Sequence, residues 1–340
     1  MKPRKKPTTS AVARPHGILL AVSANPRVDL QQVRTISIRK RKSKVRTGQF
    51  AGVFDARRDS FRAFVESLPD ILVAKDLRVL VEDIVRARRK GKPVILLMGA
   101  HVVKVGLTPV LVDLLRDGVL TAVAMNSASA IHDVETALFG QTSEDVALNL
   151  RDGTFGMARE TGEFINGTLA AAARSSSLGY GEALGRRLIA LRAPQAQVSL
   201  LATCATLHVP LTVHAAIGTD IIHQQPTMDG GVTGEMSFRD FRTLCAVCRR
   251  LTGGGVVLNV GSAVIMPEVF LKALTVARNL GARARGFTTA VFDMHMQYRP
   301  AVNVQHRPTQ DGGRGYYITG HHEIMIPLLA AMIKVRLRHG

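Results

Sequence analysis

The sequence predicts an α/β protein: a parallel Rossmann-like sheet with helices on both faces. Three observations predict it. Short, continuously apolar runs of strand length recur, as at Val94–Met98 and Val256–Val260. Segments with helical apolar spacing separate them, as at Leu77, Leu80, Val81, Ile84 and Val85. The strand-length runs end repeatedly in Gly, Ser, Asn or His. Strands apolar on both faces and alternating with helices belong to parallel sheets covered on both sides.

Residues 1–50 come first and lack apolar periodicity. They hold 13 of the 45 Lys and Arg and a single acid, Asp29. They read as a basic flexible arm, with Lys2–Lys6 and Arg39–Arg46 as its charged runs, ahead of one α/β domain over residues 51–340. The helix containing Leu77–Val85 stops near Lys90-Gly91-Lys92-Pro93, and Val94–Met98 follows as a strand. Thr108-Pro109 announces the next helix, a capping hydroxyl with proline in the first helical position. That helix closes at Asp117-Gly118, and Leu120–Met125 emerges as a second strand. Between Phe139 and Gly185 lies a glycine-rich connection with a helix near Met157–Ile165. Pro210–His214 then reads as a strand, Ser237–Arg250 as a helix and Val256–Val260 as a strand. A helix from Pro267 closes at Asn279-Leu280-Gly281, glycine being its left-handed stop. Arg285–Ala290 is the last expected strand and His322–Leu337 the last helix.

Composition narrows the function classes. Three cysteines, Cys204, Cys245 and Cys248, make no secreted disulfide framework, so a reducing, cytoplasmic setting is expected. Cys245 and Cys248 fall on an apolar helical stripe and read as core thiols. No apolar run approaches the ~20 residues that span a bilayer, and Gly17–Val22 is too short for a secretory core. The net charge of +19 is concentrated in the arm, with no aromatic interleaving. A solvated arm or a subunit contact is expected of it, and a nucleic-acid partner is not.

In open α/β sheets, ligands bind outside the carboxyl ends of the strands. Those ends read Gly99-Ala100-His101, Asn126-Ser127-Ala128-Ser129, His214, Asn259-Val260-Gly261-Ser262 and Thr288-Thr289-Ala290. Small residues admit a ligand to the backbone, and the helix starts behind them offer N–H groups to anions. Neither G-x-G-x-x-G nor G-x-x-x-x-G-K-[ST] is present. Asp220 and His223, three residues apart, pair a carboxylate with an imidazole, a combination that binds a cationic amine and moves its proton. Glu268 stands in a first helical turn. His101, His132, His214, His223, His321 and His322 with Glu323 offer an alternative, a metal site, without H-E-x-x-H spacing.

Taken in order, the strand-end motifs resemble deoxyhypusine synthase, a family that uses NAD to move an aminobutyl group from spermidine onto a protein lysine. Gly99–Gly118 is similar to its first strand–turn–helix, and Asn126–Leu138 to the next loop with Asp133 near the acidic position. His208–His223 resembles the polyamine-site segment, Leu258–Val264 the glycine-rich turn, and Thr288–Asp293 a later stretch of the family. The resemblance implies NAD as cofactor, held by Gly99, Ala100, His101, Asn126, Ser127, Asp133, Gly261, Ser262, Thr289, Ala290 and Asp293. It implies Asp220, His223 and Glu268 as catalytic residues, a small amine as substrate and a homotetramer as assembly. Met266 stands where the resemblance places the lysine of the covalent imine. The expected activity is therefore NAD-dependent transfer from a polyamine or similar amine, through hydride abstraction and an imine, to a small acceptor. The alternatives are a metal-dependent enzyme and a non-catalytic NAD-binding regulator.

Overall fold

The computed structural model describes residues 25–338, which divide into two units after Arg46. Lys2–Lys6 and the Gly17–Val22 run lie outside the described residues. In the first unit the Asp29 carboxylate accepts from Gln31 N and caps a single 3-10 turn, Leu30–Gln32.

The second unit opens with helices α1 (Phe61–Ser67) and α2 (Leu72–Arg89), then strand β1 (Val94–Met98). Two short helices, α3 (His101–Lys104) and α4 (Thr108–Arg116), lead to β2 (Ala122–Asn126) and α5 (Ser127–Phe139). The glycine-rich connection holds α6 (Val146–Asn149), α7 (Arg159–Ser175) and α8 (Tyr180–Ala190). Helix α9 (Leu200–Leu207) precedes β3 (Leu211–His214), and a 3-10 turn, Ile221–Gln224, precedes α10 (Gly230–Cys248). Then come β4 (Val256–Val260), α11 (Ile265–Asn279) and β5 (Thr288–Asp293). One-turn α12 (Tyr298–Pro300) widens into a π-type stretch, Ala301–His306, before β6 (Arg314–Thr319) and α13 (His322–Arg338).

All six strands are parallel, in the order β3-β2-β1-β4-β5-β6. This is the doubly wound order whose direction of growth reverses beside β1. Alternation along β1 shows why the sheet is covered twice. Val94, Leu96 and Met98 enter one core with residues of α2, α4, α5, α9 and α13. Ile95 and Leu97 enter the other with residues of α10 and α11. The expected strand boundaries hold at β1 and β4 and shift by one or two residues at β2 and β3.

Two expectations are corrected. The last expected strand, Arg285–Ala290, is displaced toward the carboxyl side, because Gly286 turns left-handed at φ 64° and breaks an extended run there. Thr289 and Ala290 consequently sit in the first half of β5, both fully buried, opposite Val257 and Leu258. They cannot line a site at the strand exits. The segment Asn126–Leu138 is a helix rather than a loop, with Asn126 as its cap. Strand β6 escaped the sequence reading because it is an edge strand, buried fully only at Ile318, and so lacks a continuous apolar run.

Between β1 and β4 the strand exits touch. A Cβ on Gly99 would lie 2.1 Å from the Gly261 carbonyl oxygen, and one on Gly261 would lie 2.9 Å from the His322 ring. Gly261 is itself left-handed at φ 63°. A Gly99→Ala substitution forces two backbones apart, since no flexible side chain is there to yield. It is expected to lower the unfolding free energy by roughly 1–3 kcal/mol, read from urea denaturation followed by circular dichroism.

Candidate functional site

The carboxyl edge of the sheet carries two clusters. The first lies at the switch point between β1 and β4. Gly99 and Gly261 meet there without side chains, Ala100 opens α3, and the His101 ring stands edge-on to His322 with centroids 5.7 Å apart. His322 is buried; its Nε2 pairs with the Phe292 carbonyl at 3.2 Å, which makes Nε2 the protonated nitrogen. Its Nδ1 and the Asn259 Oδ1 are buried without a partner among the described residues.

The second cluster lies where β2 and β3 end. The Asn126 side chain caps α5 by accepting from Ser129 N at 3.1 Å, which turns the next residue inward. That residue, Ser127, is fully buried and donates its hydroxyl proton to the Asp220 carboxylate. Asp220 leads the 3-10 turn. Its backbone N–H and that of Gly218 both donate to His223 Nδ1, each at 3.2 Å. A ring nitrogen that accepts twice carries no proton, so the neutral ring is protonated at Nε2, a buried atom with no partner among the described residues. His223 thus fastens the turn that presents Asp220. The Tyr180 hydroxyl is also buried and has no partner among the described residues, and burial together with the carboxylates of Asp220 and Asp240 holds it protonated far above the usual phenol range.

Asp220 opens into a cavity of about 780 Å³ between α3, α5, the 139–158 segment and the start of α7. Four carboxylates line it (Glu135, Glu144, Glu160 and Asp220) against one lysine, Lys104, and one imidazole, His132. The 139–158 wall is tied down at both ends. Glu144 accepts from Gly156 N at 2.9 Å and from the Asn149 amide at 2.7 Å. Gln224 and Gln225 donate to the carbonyls of Phe155 and Gly156, each at 2.6 Å.

The remaining sequence candidates sit elsewhere or are already engaged. Asp133 faces away from the cavity: it accepts from Ser199 Oγ at 2.6 Å, Leu200 N at 2.8 Å and Leu201 N at 3.1 Å, holding the start of α9. Burial pushes its carboxyl up to about 6, although those bonds pull the other way. Asp240 does the same for α8, accepting from Gly181 N at 2.9 Å while also taking Val213 N at 2.6 Å, and burial pushes it up to about 7. Glu268 belongs to a surface ion cluster with Lys272, Arg299 at 3.3 Å and Asn303 at 2.9 Å, its carboxyl held below the usual range by Lys272 first. The Ser262 hydroxyl accepts from Met266 N at 3.1 Å, and Asp293, at the end of β5, accepts from His295 N at 3.3 Å.

Met266 is fully buried in the core beneath α11, beside Phe270. A lysine at that position would point into hydrocarbon, so its absence says nothing about amine chemistry at the cavity. The lysine that lines the cavity is Lys104. Of the histidines proposed as a metal set, His101 stands beside His322, but no group of three His, Cys, Asp or Glu suited to a metal ion forms among the described residues. His214 is buried against Thr212, which pushes its imidazole down to about 3. Cys245 and Cys248 are free and buried, as the helical stripe required. No helix among the described residues is long and apolar enough to cross a membrane.

The sequence reading passed over Glu135, Thr142 and Thr161. The usable signal was the Asn126 cap: once α5 is a helix, His132 and Glu135 are three residues apart on one face.

The fold and its edge clusters define an open, doubly wound α/β protein with an acidic cavity at the carboxyl edge of its sheet. No protein-family model matches the chain, and no curated protein matches it in sequence. Solved structures do. AgrE in its ternary complex with ornithine and NAD+ is 14% identical over 79% of this chain, with a TM-score of 0.50. The chain spans 34% of AgrE's length. A conserved putative LOR/SDH protein from Methanococcus maripaludis S2 is 15% identical over 78% of this chain and 70% of its own, with a TM-score of 0.48. A putative deoxyhypusine synthase from Entamoeba histolytica is 10% identical over 83% and 96%, with a TM-score of 0.48. The likeness to deoxyhypusine synthase expected from the sequence has a counterpart in that last match.

The two buried aspartates give a pH signature. Their folded values of about 6 and about 7 lie above the ordinary carboxyl value of 3.8. The fold therefore favours their protonated forms, and this stabilisation is complete below the ordinary value and lost as pH rises through 6 to 7. Between pH 5 and pH 8 the unfolding free energy of the wild type is expected to fall more steeply than that of Asp240→Asn. Urea titrations at half-unit pH steps would measure the two slopes.

Proposed function

We propose that the protein is an NAD-dependent enzyme acting on a polyamine or similar small amine, passing an aminoalkyl group through an imine to a small acceptor. One observation carries the reading: four carboxylates face one lysine in a cavity of about 780 Å³ at the carboxyl edge of a doubly wound sheet. A cavity with that charge balance concentrates a cationic ligand and disfavours an anionic one. Asp220 is the anchor for an ammonium group, because Ser127 and the His223-fastened turn hold it in place.

One observation supports NAD at the switch point: His322 Nδ1 and Asn259 Oδ1 are buried there without partners among the described residues. Gly99, Ala100, His101 and Gly261 are the residues that would hold it, with Asn126 and Ser127 at the neighbouring exit. Bound there, NAD would supply a hydride acceptor for a carbon bearing nitrogen. The likeness to AgrE, solved with ornithine and NAD+, supports the fold on which such a site could be built.

Incubation with NAD and spermidine, putrescine, agmatine or ornithine is expected to produce absorbance at the reduced-nicotinamide wavelength, or amine transfer products by mass spectrometry, with at least one of them. Asp220→Asn is expected to raise KM for that amine roughly 10- to 150-fold, the equivalent of losing a charged hydrogen bond of about 1.5–3 kcal/mol. Tight NAD binding with no turnover of any amine would point instead to a regulatory protein. Self-association is part of the same proposal: Val146, Leu148, Leu150 and Met157 expose apolar side chains beside the cavity. A tetramer is expected by light scattering, and Leu148→Glu is expected to dissociate it.

A further inference from the structure

The cavity wall contains a hydrogen-bond chain that neither the sequence motifs nor the comparisons assign. His132, on α5, lines the cavity. Its Nδ1 lies 2.6 Å from Thr142 Oγ1. The Thr142 hydroxyl donates its one proton to Glu135 Oε2 at 2.5 Å. Having given that proton away, Thr142 can only accept from His132, so Nδ1 carries a proton and the lone pair of the neutral ring is on Nε2. Nε2 has no hydrogen-bond partner among the described residues and is not among their buried unpaired atoms, so it is open to the cavity.

The far end of the chain is equally defined. Glu135 Oε1 accepts from Thr161 Oγ1 at 3.0 Å, and the carboxylate is only 14% exposed. Burial works to raise its carboxyl, but the neighbouring His132 ring and the hydrogen bonds from Thr142 and Thr161 outweigh burial and leave it below the usual range, so it is ionised at neutral pH. Ser143, beside Thr142, adopts φ 70°, a left-handed conformation uncommon for a residue with a side chain. The turn thus holds the Thr142 hydroxyl between the imidazole and the carboxylate at the cost of local strain.

We infer that His132 is the general base of the cavity, with Thr142 and Glu135 as its positioning residues. The inference rests on the amine reading above. An amine held as its ammonium cation has no lone pair to assist loss of hydride from the neighbouring carbon. His132 Nε2 takes one proton from the ammonium; the N–H bond breaks, a free amine and an imidazolium result, and no other bond changes. The imidazolium is stabilised through Thr142 by the Glu135 carboxylate, as a buried carboxylate stabilises the imidazolium of a catalytic triad. The charged groups that line the cavity with the ring are Lys104 from α3, Glu135 on its own helix, Glu144 from the connection, Glu160 from α7 and Asp220 from the 3-10 turn.

The test uses the full chain with NAD and spermidine, putrescine, agmatine or ornithine as probes. His132→Gln is expected to reduce kcat about 10²- to 10⁴-fold, with amine binding by calorimetry unchanged. Glu135→Gln is expected to lower kcat and move the acid limb of the pH profile to lower pH, because an imidazolium without its carboxylate loses its proton more readily. Thr142→Val should mimic that loss and Thr142→Ser restore it. Nitrogen-15 NMR of labelled histidine should show His132 protonated at Nδ1 in the wild type and in Thr142→Ser. Turnover by the wild type and His132→Gln alike would overturn the inference alone. An Nε2-protonated His132 in the wild type would do the same. Absence of turnover with every amine in the wild type would sink the functional reading, and the inference with it.

Discussion

The contact on which the site's geometry depends is the one between the exits of β1 and β4. Parallel strands lie about 4.8 Å apart, and here the chain leaves both of them in the same direction with no side chain between. A Cβ at Gly99 would sit 2.1 Å from a carbonyl oxygen, so the register of the two central strands and the course of the loops beyond are set together. From that point the sheet grows outward in both directions. The β2 and β3 exits lie to one side, with the Ser127–Asp220 pair and the acidic cavity. The β5 and β6 exits lie to the other, with Asp293.

Buried carboxylates perform the next level of fastening. Asp133 and Asp240 each bind backbone N–H groups at the start of a helix, α9 and α8, in place of an exposed cap. Asp83 is satisfied differently, by Thr288 at 2.8 Å and by Arg86 and Arg314 at 2.9 Å and 2.5 Å, which ties α2 to β5 and β6. A buried carboxylate costs several kcal/mol in desolvation and persists only with such partners. These groups are structural, and they differ from Asp220 and Glu135, which border open volume.

Much of the fold was legible because parallel strands leave long apolar marks and their helices carry ordinary caps and stops. Val94–Met98 and Val256–Val260 are delimited in the sequence as they are in space. The reading failed where tertiary context outweighed local pattern. Strand β6 is half exposed and Thr288–Asp293 begins after a left-handed glycine, so neither boundary is written in hydrophobicity. For the site, Asp220 could be singled out by its neighbour His223. The cavity's other groups could not, because Thr142 and Thr161 reach Glu135 only after α5 and α7 have packed. Asp133 and Glu268 drew attention as acids near strand ends, yet sequence alone does not say which way a helical side chain faces.

His322 brings the amino acid order of the molecule to bear on its assembly. The imidazole that packs on Gly261 comes from α13, which follows every strand in the chain, whereas Gly99 follows the first. The central crevice therefore joins residues 99, 261 and 322, separations that span most of the domain. Loop closure of that range is slow and is completed late. The Ser127–Asp220 pair, by contrast, is closed within residues 127–220, so the two clusters at the sheet edge draw on very different spans of the chain.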